Sequence, residues 1–215
     1  MFKKLVKLIN VLKRKNILRF FYSQYYFGYL KDIGWFESFE AKKPLDKEGK
    51  PLPWVTYPFI EFIKPRLNNV QTLFEFGSGN STLFYSSFIK EVHSVEHDKT
   101  WFENIKLAVP QNVYLKYQKL EYGEDYCKSS LGRKYDLIIV DGRDRANCIY
   151  QSVASLTNHG CIVLDDSERK RYQEAIKWLT ETHRFKKIDF WGISPGLFYL
   201  KNTTIFYRAE NILDI

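Results

Sequence analysis

Short apolar runs alternate with helix-like stretches through most of this 215-residue chain, and that alternation limits its fold more than any other feature. Residues 70–76, 91–96, 112–117, 135–140 and 161–164 read as strands, rich in β-branched and aromatic side chains. Residues 81–89, 99–108, 145–158 and 168–182 lie between or after them and read as helices. Strands separated by helices are joined by crossovers, which make them parallel and cover both faces of one sheet. Two late strands, 185–190 and 203–207, leave little room for a helix between them. The turn-rich residues 192–202 predict an antiparallel hairpin at the sheet edge.

Charge divides the chain unevenly. Of the 33 basic residues, Lys3, Lys4, Lys7, Lys13, Arg14, Lys15, Arg19 and Lys31 fall in the first 31 positions, which hold no acid; the other 25 balance the 25 acids, so the net +8 belongs to the head. A basic head on a neutral body argues against nucleic-acid binding, which calls for charge along a whole face, and for an anionic partner of the head alone. On a helix, Phe2, Leu5, Val6, Ile9 and Leu12 would share one face with Lys3, Lys4, Lys7 and Arg14 opposite; Phe20, Phe21, Tyr22, Tyr25, Tyr26, Phe27 and Tyr29 follow closely. Basic charge beside aromatic rings suits an anionic membrane surface. A helix packed on its own domain or on a second subunit fits the same pattern. The polar, proline-bearing stretch 40–53 (EAKKPLDKEGKPLP) reads as an exposed link. The expected division is a helical extension over 1–39 and a principal domain over 40–215. Three cysteines without a CxxC indicate neither a disulfide framework nor a cysteine zinc site, and a reducing cytoplasm is the expected compartment. No run approaches the roughly 18 apolar residues needed to span a bilayer.

The first predicted strand runs into Glu75-Phe-Gly77-Ser-Gly79-Asn80-Ser81-Thr82 before a helix. Two glycines allow a tight turn and close approach of backbone to a ligand. Thr82 stands where a dinucleotide fingerprint has its third glycine, and Glu75 would repel a diphosphate while suiting an ammonium group. Glu96, at the end of the next strand, occupies the usual place of an acid that binds two ribose hydroxyls. A ligand with an amino-acid part, a ribose and no phosphate is S-adenosylmethionine.

EFGSGNST, SVEHD, YDLIIVDG and GCIVLDD, in that order, resemble the successive motifs of the class I S-adenosylmethionine-dependent methyltransferases over roughly residues 54–208. LPWVTYP and TTIFYR resemble a bacterial subgroup linked to surface-glycan synthesis. The resemblance implies a Rossmann-like, doubly wound, mostly parallel seven-stranded sheet with an antiparallel C-terminal strand. It also implies roles: Glu75 at the methionine end of the cofactor, the Gly77 and Gly79 backbone beneath it, Asn80 and Ser81 as donors to its carboxylate, and Glu96 on the ribose. His97 or Asp98 would lie near the adenine, with Glu121 as a further adenine candidate, although Asp98 equally reads as a helix cap.

Two later strands end in acids, Asp141-Gly142 and Asp165-Asp166. Neighbouring strands would bring these carboxylates together at the carboxyl edge, where ligands of such sheets bind. Clustered acids need a cation, a proton or a hydrogen-bond network. The spacing resembles catechol- and caffeoyl-type O-methyltransferases, which bind a divalent metal through Asp…Asp-Asn; here Asp166 replaces the asparagine, and Asp144 replaces a lysine three residues after the first aspartate. Asp141, Asp165 and Asp166 are therefore the expected ligands of Mg²⁺ or another divalent cation. Without metal, Asp141 or Asp165 is the expected base, and Asp166 or Ser167 caps a helix near Glu168.

Arg143, Arg145, Arg169 and Arg171 flank these acids, ready either to bind an acidic substrate such as a uronic acid or sugar phosphate, or to neutralise the acids internally. Trp54, Tyr57 and Trp191 could wall a sugar ring or belong to the core. The resulting expectation is O-methylation of a hydroxyl on a glycan or glycolipid precursor at the inner membrane face. The competing readings are a metal-assisted small-molecule O-methyltransferase and a non-catalytic cofactor-binding scaffold.

Overall fold

A computed structural model of the chain describes Asn10 and residues 12–215. The expected amphipathic face built on Phe2, Leu5, Val6 and Ile9 lies outside the described residues. Helices α1 (Lys15–Tyr26), α2 (Tyr29–Asp32), α3 (Trp35–Ala41) and α4 (Tyr57–Ile63) precede the sheet. Then come β1 (Thr72–Phe76), α5 (Asn80–Ser86), β2 (Glu91–Glu96), α6 (Lys99–Lys106), β3 (Val113–Tyr117), β4 (Tyr135–Val140), α7 (Arg145–Ser152), β5 (Leu156–Asp165), α8 (Gln173–Lys177), β6 (Lys186–Gly192) and β7 (Lys201–Tyr207).

The seven strands form one sheet in the order β3-β2-β1-β4-β5-β7-β6. The first five are mutually parallel, whereas β7 runs antiparallel to both β5 and β6. The order reverses direction between β1 and β4, which opens a crevice at their carboxyl ends. The central strands are apolar on both sides because helices cover both faces: Leu73, Leu137, Ile139 and Val163 join one core cluster, and Phe74, Phe76, Ile138 and Ile162 the other.

Three differences from the sequence reading have local causes. The helix expected over 145–158 ends at Ser152, and β5 begins at Leu156, whose pairing with Tyr135 of β4 is followed by a register shift before Cys161 pairs with Leu137, so the polar Thr157-Asn158-His159 stretch is extended within an irregularity of the strand. The helix expected over 168–182 divides into a 3₁₀ turn (Lys170–Tyr172), α8 and a π turn (Trp178–Thr182). Helix α4 went unread because its aromatic residues masked a short 3.6-residue period. Trp35 in α3 is buried in the principal core, and its indole Nε1 donates to the Leu197 carbonyl at 2.8 Å.

Candidate active site

The carboxyl ends of β1, β2, β4 and β5 converge on a cavity of about 500 Å³, within the usual size of small-molecule sites. Glu75, Gly77, Ser78, Ser81, Glu96, His97, Asp141, Gly142, Asp165, Asp166 and Lys201 line it, with Trp54, Arg143, Arg145, Arg169, Leu197 and Tyr199.

The β1–α5 loop forms its floor. Gly77 sits at φ 103°, and its backbone packs so closely on the β4 loop that a Cβ there would lie 3.2 Å from Gly142 Cα. A Cβ on Gly142 would meet the Tyr126 hydroxyl at 2.2 Å, so this contact requires glycine on both sides. The Gly77 amide donates to Val95 O at 2.9 Å and Ser94 Oγ to Gly77 O at 2.6 Å, fixing the loop to β2.

Glu75 is almost fully buried beneath this loop, and its Oε2 accepts from Thr82 Oγ1 at 2.6 Å. Burial pushes its carboxyl up to about 7, against the opposing hydrogen bonds of Ser81 and Thr82. Among the described residues no basic side chain pairs with it. Glu96 is also buried: Oε1 accepts from the amides of His97 at 2.7 Å and Asp98 at 2.9 Å, while Oε2 accepts from Ser78 Oγ at 2.8 Å. His97 Nδ1 also lies 2.8 Å from Glu96 Oε1. Two carboxylates lining one cavity, with hydroxyls, amides and one imidazole but no lysine or arginine as partners among the described residues, fit a cationic, hydroxyl-bearing ligand and disfavour a diphosphate. These residues fit S-adenosylmethionine.

The acceptor end is different. Asp141, Asp165 and Asp166 meet as expected, but cations already fill the space between them. Lys201 Nζ lies 2.6 Å from Asp165 Oδ2 and 2.9 Å from Asp166 Oδ1, and donates to the Trp54 carbonyl at 3.3 Å. Arg145 reaches Asp141 Oδ1 at 2.9 Å and Asp166 Oδ2 at 3.2 Å; Arg169 adds a contact to Asp166 at 2.6 Å. Thr203 Oγ1 donates to Asp165 Oδ1 at 2.8 Å. Burial and the charge of Asp165 push the Asp141 carboxyl well above its ordinary value, opposed by Arg145 and Lys201. Burial acts upward on Asp166 too, but Lys201, Arg145 and Arg169 outweigh it and hold that group low.

The metal assignment therefore needs correction. A divalent cation would need the volume and the oxygen lone pairs that Lys201 and Arg145 take, so Asp141, Asp165 and Asp166 do not fit one. Among the described residues no group of His, Cys, Asp and Glu is arranged to hold a metal ion.

Other expected residues separate. Tyr57 is buried in the core away from this cavity and cannot wall a substrate. Arg145 is committed to the acidic cluster rather than to a ligand. Arg143 is exposed at the cavity and also lines an adjoining pocket of about 250 Å³ with Arg169 and Arg171. Neither Arg143 nor Arg171 has an acidic partner among the described residues. Trp54 borders the main cavity, its Nε1 donating to Pro195 O at 2.8 Å. Asn80 lines a smaller adjoining pocket, and its amide donates to Pro44 O at 2.8 Å, so that donor is spent on the link segment. Gly79 borders the same small pocket. Asp98 caps α6 by accepting from the Trp101 amide at 2.9 Å. Glu121 is exposed, paired with Lys119, and Trp191 is half exposed; neither lines the cavity. Asp166 and Ser167 do not cap a helix: the Ser167 hydroxyl contacts Thr204 Oγ1 at 2.7 Å.

Sequence reasoning missed Ser78, Leu197, Tyr199 and Lys201. Lys201 and Thr203 stand two residues apart on β7 and so share a face, a period-2 signal that acquires meaning only once β7 is known to adjoin β5.

No family model and no curated protein matches the chain. Solved structures do match. A Staphylococcus aureus protein assigned as a caffeoyl-CoA O-methyltransferase is 16% identical, with 96% of this chain and 98% of that one covered at a TM-score of 0.56. A methyltransferase from Geobacter sulfurreducens is 13% identical over 74% and 81% of the two chains, with a TM-score of 0.55. A Klebsiella pneumoniae protein assigned as an O-methyltransferase is 19% identical over 68% and 77%, with a TM-score of 0.53. The fold is the Rossmann-like methyltransferase fold. In that fold the cavity lies at the β1/β4 switch point, where the two halves of the sheet part.

Proposed function

We propose that the protein is an S-adenosylmethionine-dependent methyltransferase acting on an oxygen acceptor. The observation that carries this reading is the buried pair Glu75 and Glu96, both lining one cavity and both without a lysine or arginine partner among the described residues. When bound, S-adenosylmethionine would supply a methyl group on a sulfonium, which the acceptor oxygen would take in line as the carbon–sulfur bond breaks and the thioether leaves.

The chain's residues have four tasks. Glu75 receives the cationic amino-acid end, and its ionised form becomes favourable once an ammonium replaces lost solvation. Glu96 accepts from ribose hydroxyls, with Ser78 either sharing or yielding its bond to Oε2. The Gly77–Gly142 contact keeps side chains out of the plane where the cofactor would pass. Asp141, raised above the ordinary carboxylate range, stands at the acceptor end and takes the hydroxyl proton as the new carbon–oxygen bond forms. Most of the rate gain comes from alignment and exclusion of water.

For the acceptor, a hydroxyl on a glycan or glycolipid precursor is favoured by Trp54 at the cavity wall and by the exposed Arg143 and Arg171 at its flank, which suit an acidic substituent. The protein would work at the inner membrane face. Titration calorimetry with S-adenosylmethionine and with its demethylated product tests the central reading. Micromolar binding of both, followed by methyl transfer to a cell-envelope fraction, supports it. Binding of NAD or a nucleoside diphosphate instead sinks it, and cofactor binding with no transfer to any fraction leaves a scaffold.

A further inference from the structure

Helix α1 buries none of its residues. It nevertheless carries Phe20, Phe21, Tyr22, Tyr25 and Tyr26, and Phe27 just beyond it is 76% exposed. A helix this apolar gains little in water and needs something to cover it. A second apolar group lies far away in sequence, on the β6–β7 loop, where Phe198 is 71% exposed and Leu200 67%. Between these two residues Tyr199 lines the cavity, as does Leu197 before them.

The two groups are physically connected. Tyr25 of α1 meets Phe36 with ring centroids 5.0 Å apart, and the neighbouring Trp35 stacks on Phe39 at 5.2 Å. Phe198 then contacts both Trp35 and Phe39 at 5.7 Å. The Trp35 hydrogen bond to Leu197 O ties this aromatic chain to the loop at the cavity mouth. A chain of aromatic contacts through the buried Trp35 thus links the basic helix to the opening of the candidate active site, with Tyr25, Phe39 and Phe198 exposed along it.

Charge decides what covers it. The first 31 residues carry eight basic side chains and no acid. A second copy would bring two such heads together, and each lysine or arginine would then be repelled. An anionic bilayer attracts them instead and accommodates rings at headgroup depth. Among the described residues no helix is long and apolar enough to cross a membrane, so the contact is interfacial.

We infer that α1 and the Phe198–Leu200 loop together form a docking surface for an anionic lipid bilayer, which sets the cavity mouth against the headgroups. The inference rests on the methyltransferase reading only in what it adds: the acceptor is presented from the membrane surface rather than from bulk solution. The docking itself stands without that reading.

The test uses the full chain and vesicles of phosphatidylcholine with or without phosphatidylglycerol, separated by sedimentation. The wild type should bind the anionic vesicles, with binding falling as salt rises. The Phe198→Ser/Leu200→Ser variant alters only exposed side chains that do not line the cavity; it should bind those vesicles about tenfold or more weakly, given the apolar area lost. Calorimetry of the same variant with S-adenosylmethionine should match the wild type. Absence of wild-type binding to anionic vesicles, or equal binding by the variant, overturns the docking surface while leaving the cofactor reading intact. A stable dimer in light scattering that buries α1 overturns it in favour of a second copy, and salt-sensitive RNA binding without vesicle binding overturns it in favour of nucleic acid. Vesicle binding without cofactor binding sinks the enzyme reading and retains the docking.

Discussion

The ammonium of Lys201 lies 2.6 Å from the Asp165 carboxylate, both buried, at the edge of the sheet where the parallel strands end. Lys201 reaches that edge because β7 runs antiparallel: Thr203, two residues further along β7, is the register partner of Asp165, the last residue of β5. A lysine and an arginine thereby occupy the centre of an acidic cluster that the sequence alone suggests for a metal.

Removing that ammonium should be costly. Lys201→Met leaves Asp165 and Asp166 short of a counter-charge and is expected to lower stability by about 3–5 kcal/mol in urea denaturation. Adding Asp165→Asn should recover a large part of the loss, since the uncompensated charge disappears. Because these cations fill the cluster, chelators should leave the turnover of the wild type unchanged; an EDTA-sensitive, magnesium-restored rate would contradict this account.

Glu75 makes cofactor affinity depend on pH. Its carboxyl is raised from 4.5 to about 7, first by burial. The native chain therefore holds this proton more tightly than the unfolded chain, and Glu75 lowers stability as pH rises from about 4.5 to about 7, by on the order of 3 kcal/mol. A cationic ligand favours the ionised form, so S-adenosylmethionine should bind more tightly as pH rises through about 7, releasing a proton. Calorimetry in buffers of different ionisation enthalpy measures that proton. In Glu75→Gln the proton release should vanish and affinity should weaken by about 1.5–3 kcal/mol.

At Glu96 the expected effect is on cofactor affinity, with some loss of stability from the unpaired amides. Glu96→Ala removes the acceptor for the ribose hydroxyls and leaves the His97 and Asp98 amides without their carboxylate partner. S-adenosylmethionine binding should weaken by about 1–3 kcal/mol. Unchanged affinity would remove the ribose assignment.

Asp141→Asn should abolish turnover while the protein still binds cofactor. The amide cannot take the acceptor proton, and the loss of the 2.9 Å pair with Arg145 is partly made good by the other carboxylates that Arg145 contacts. In the wild type the rate should rise with pH as the elevated Asp141 carboxyl ionises. A near-normal rate in the variant, measured where circular dichroism reports a folded chain, would reject Asp141 as the base.

Much of the fold is written locally. Glu91–Glu96 and Tyr135–Val140 have the same bounds in the sequence reading and in the structure, because each is an uninterrupted strand-forming run with polar or turn-forming neighbours. Glu75, Gly77 and Glu96 could be placed because strand ends and glycine turns are local signals, and the carboxyl edge of a parallel sheet is where such ends meet. Two things were beyond local reading. Burial sorted the aromatics: Trp54 borders the cavity while Tyr57, three residues on, turns into the core. Long-range strand order chose the charge partners, since a lysine 36 residues from Asp165 becomes its neighbour only when β7 inserts antiparallel between β5 and β6. The amino-acid pattern fixes which residues can turn, extend or coil, because those preferences act over a few bonds. Which carboxylates keep a counter-ion, and which are left facing an open cavity, depends on contacts between distant segments that exist only after the sheet has closed.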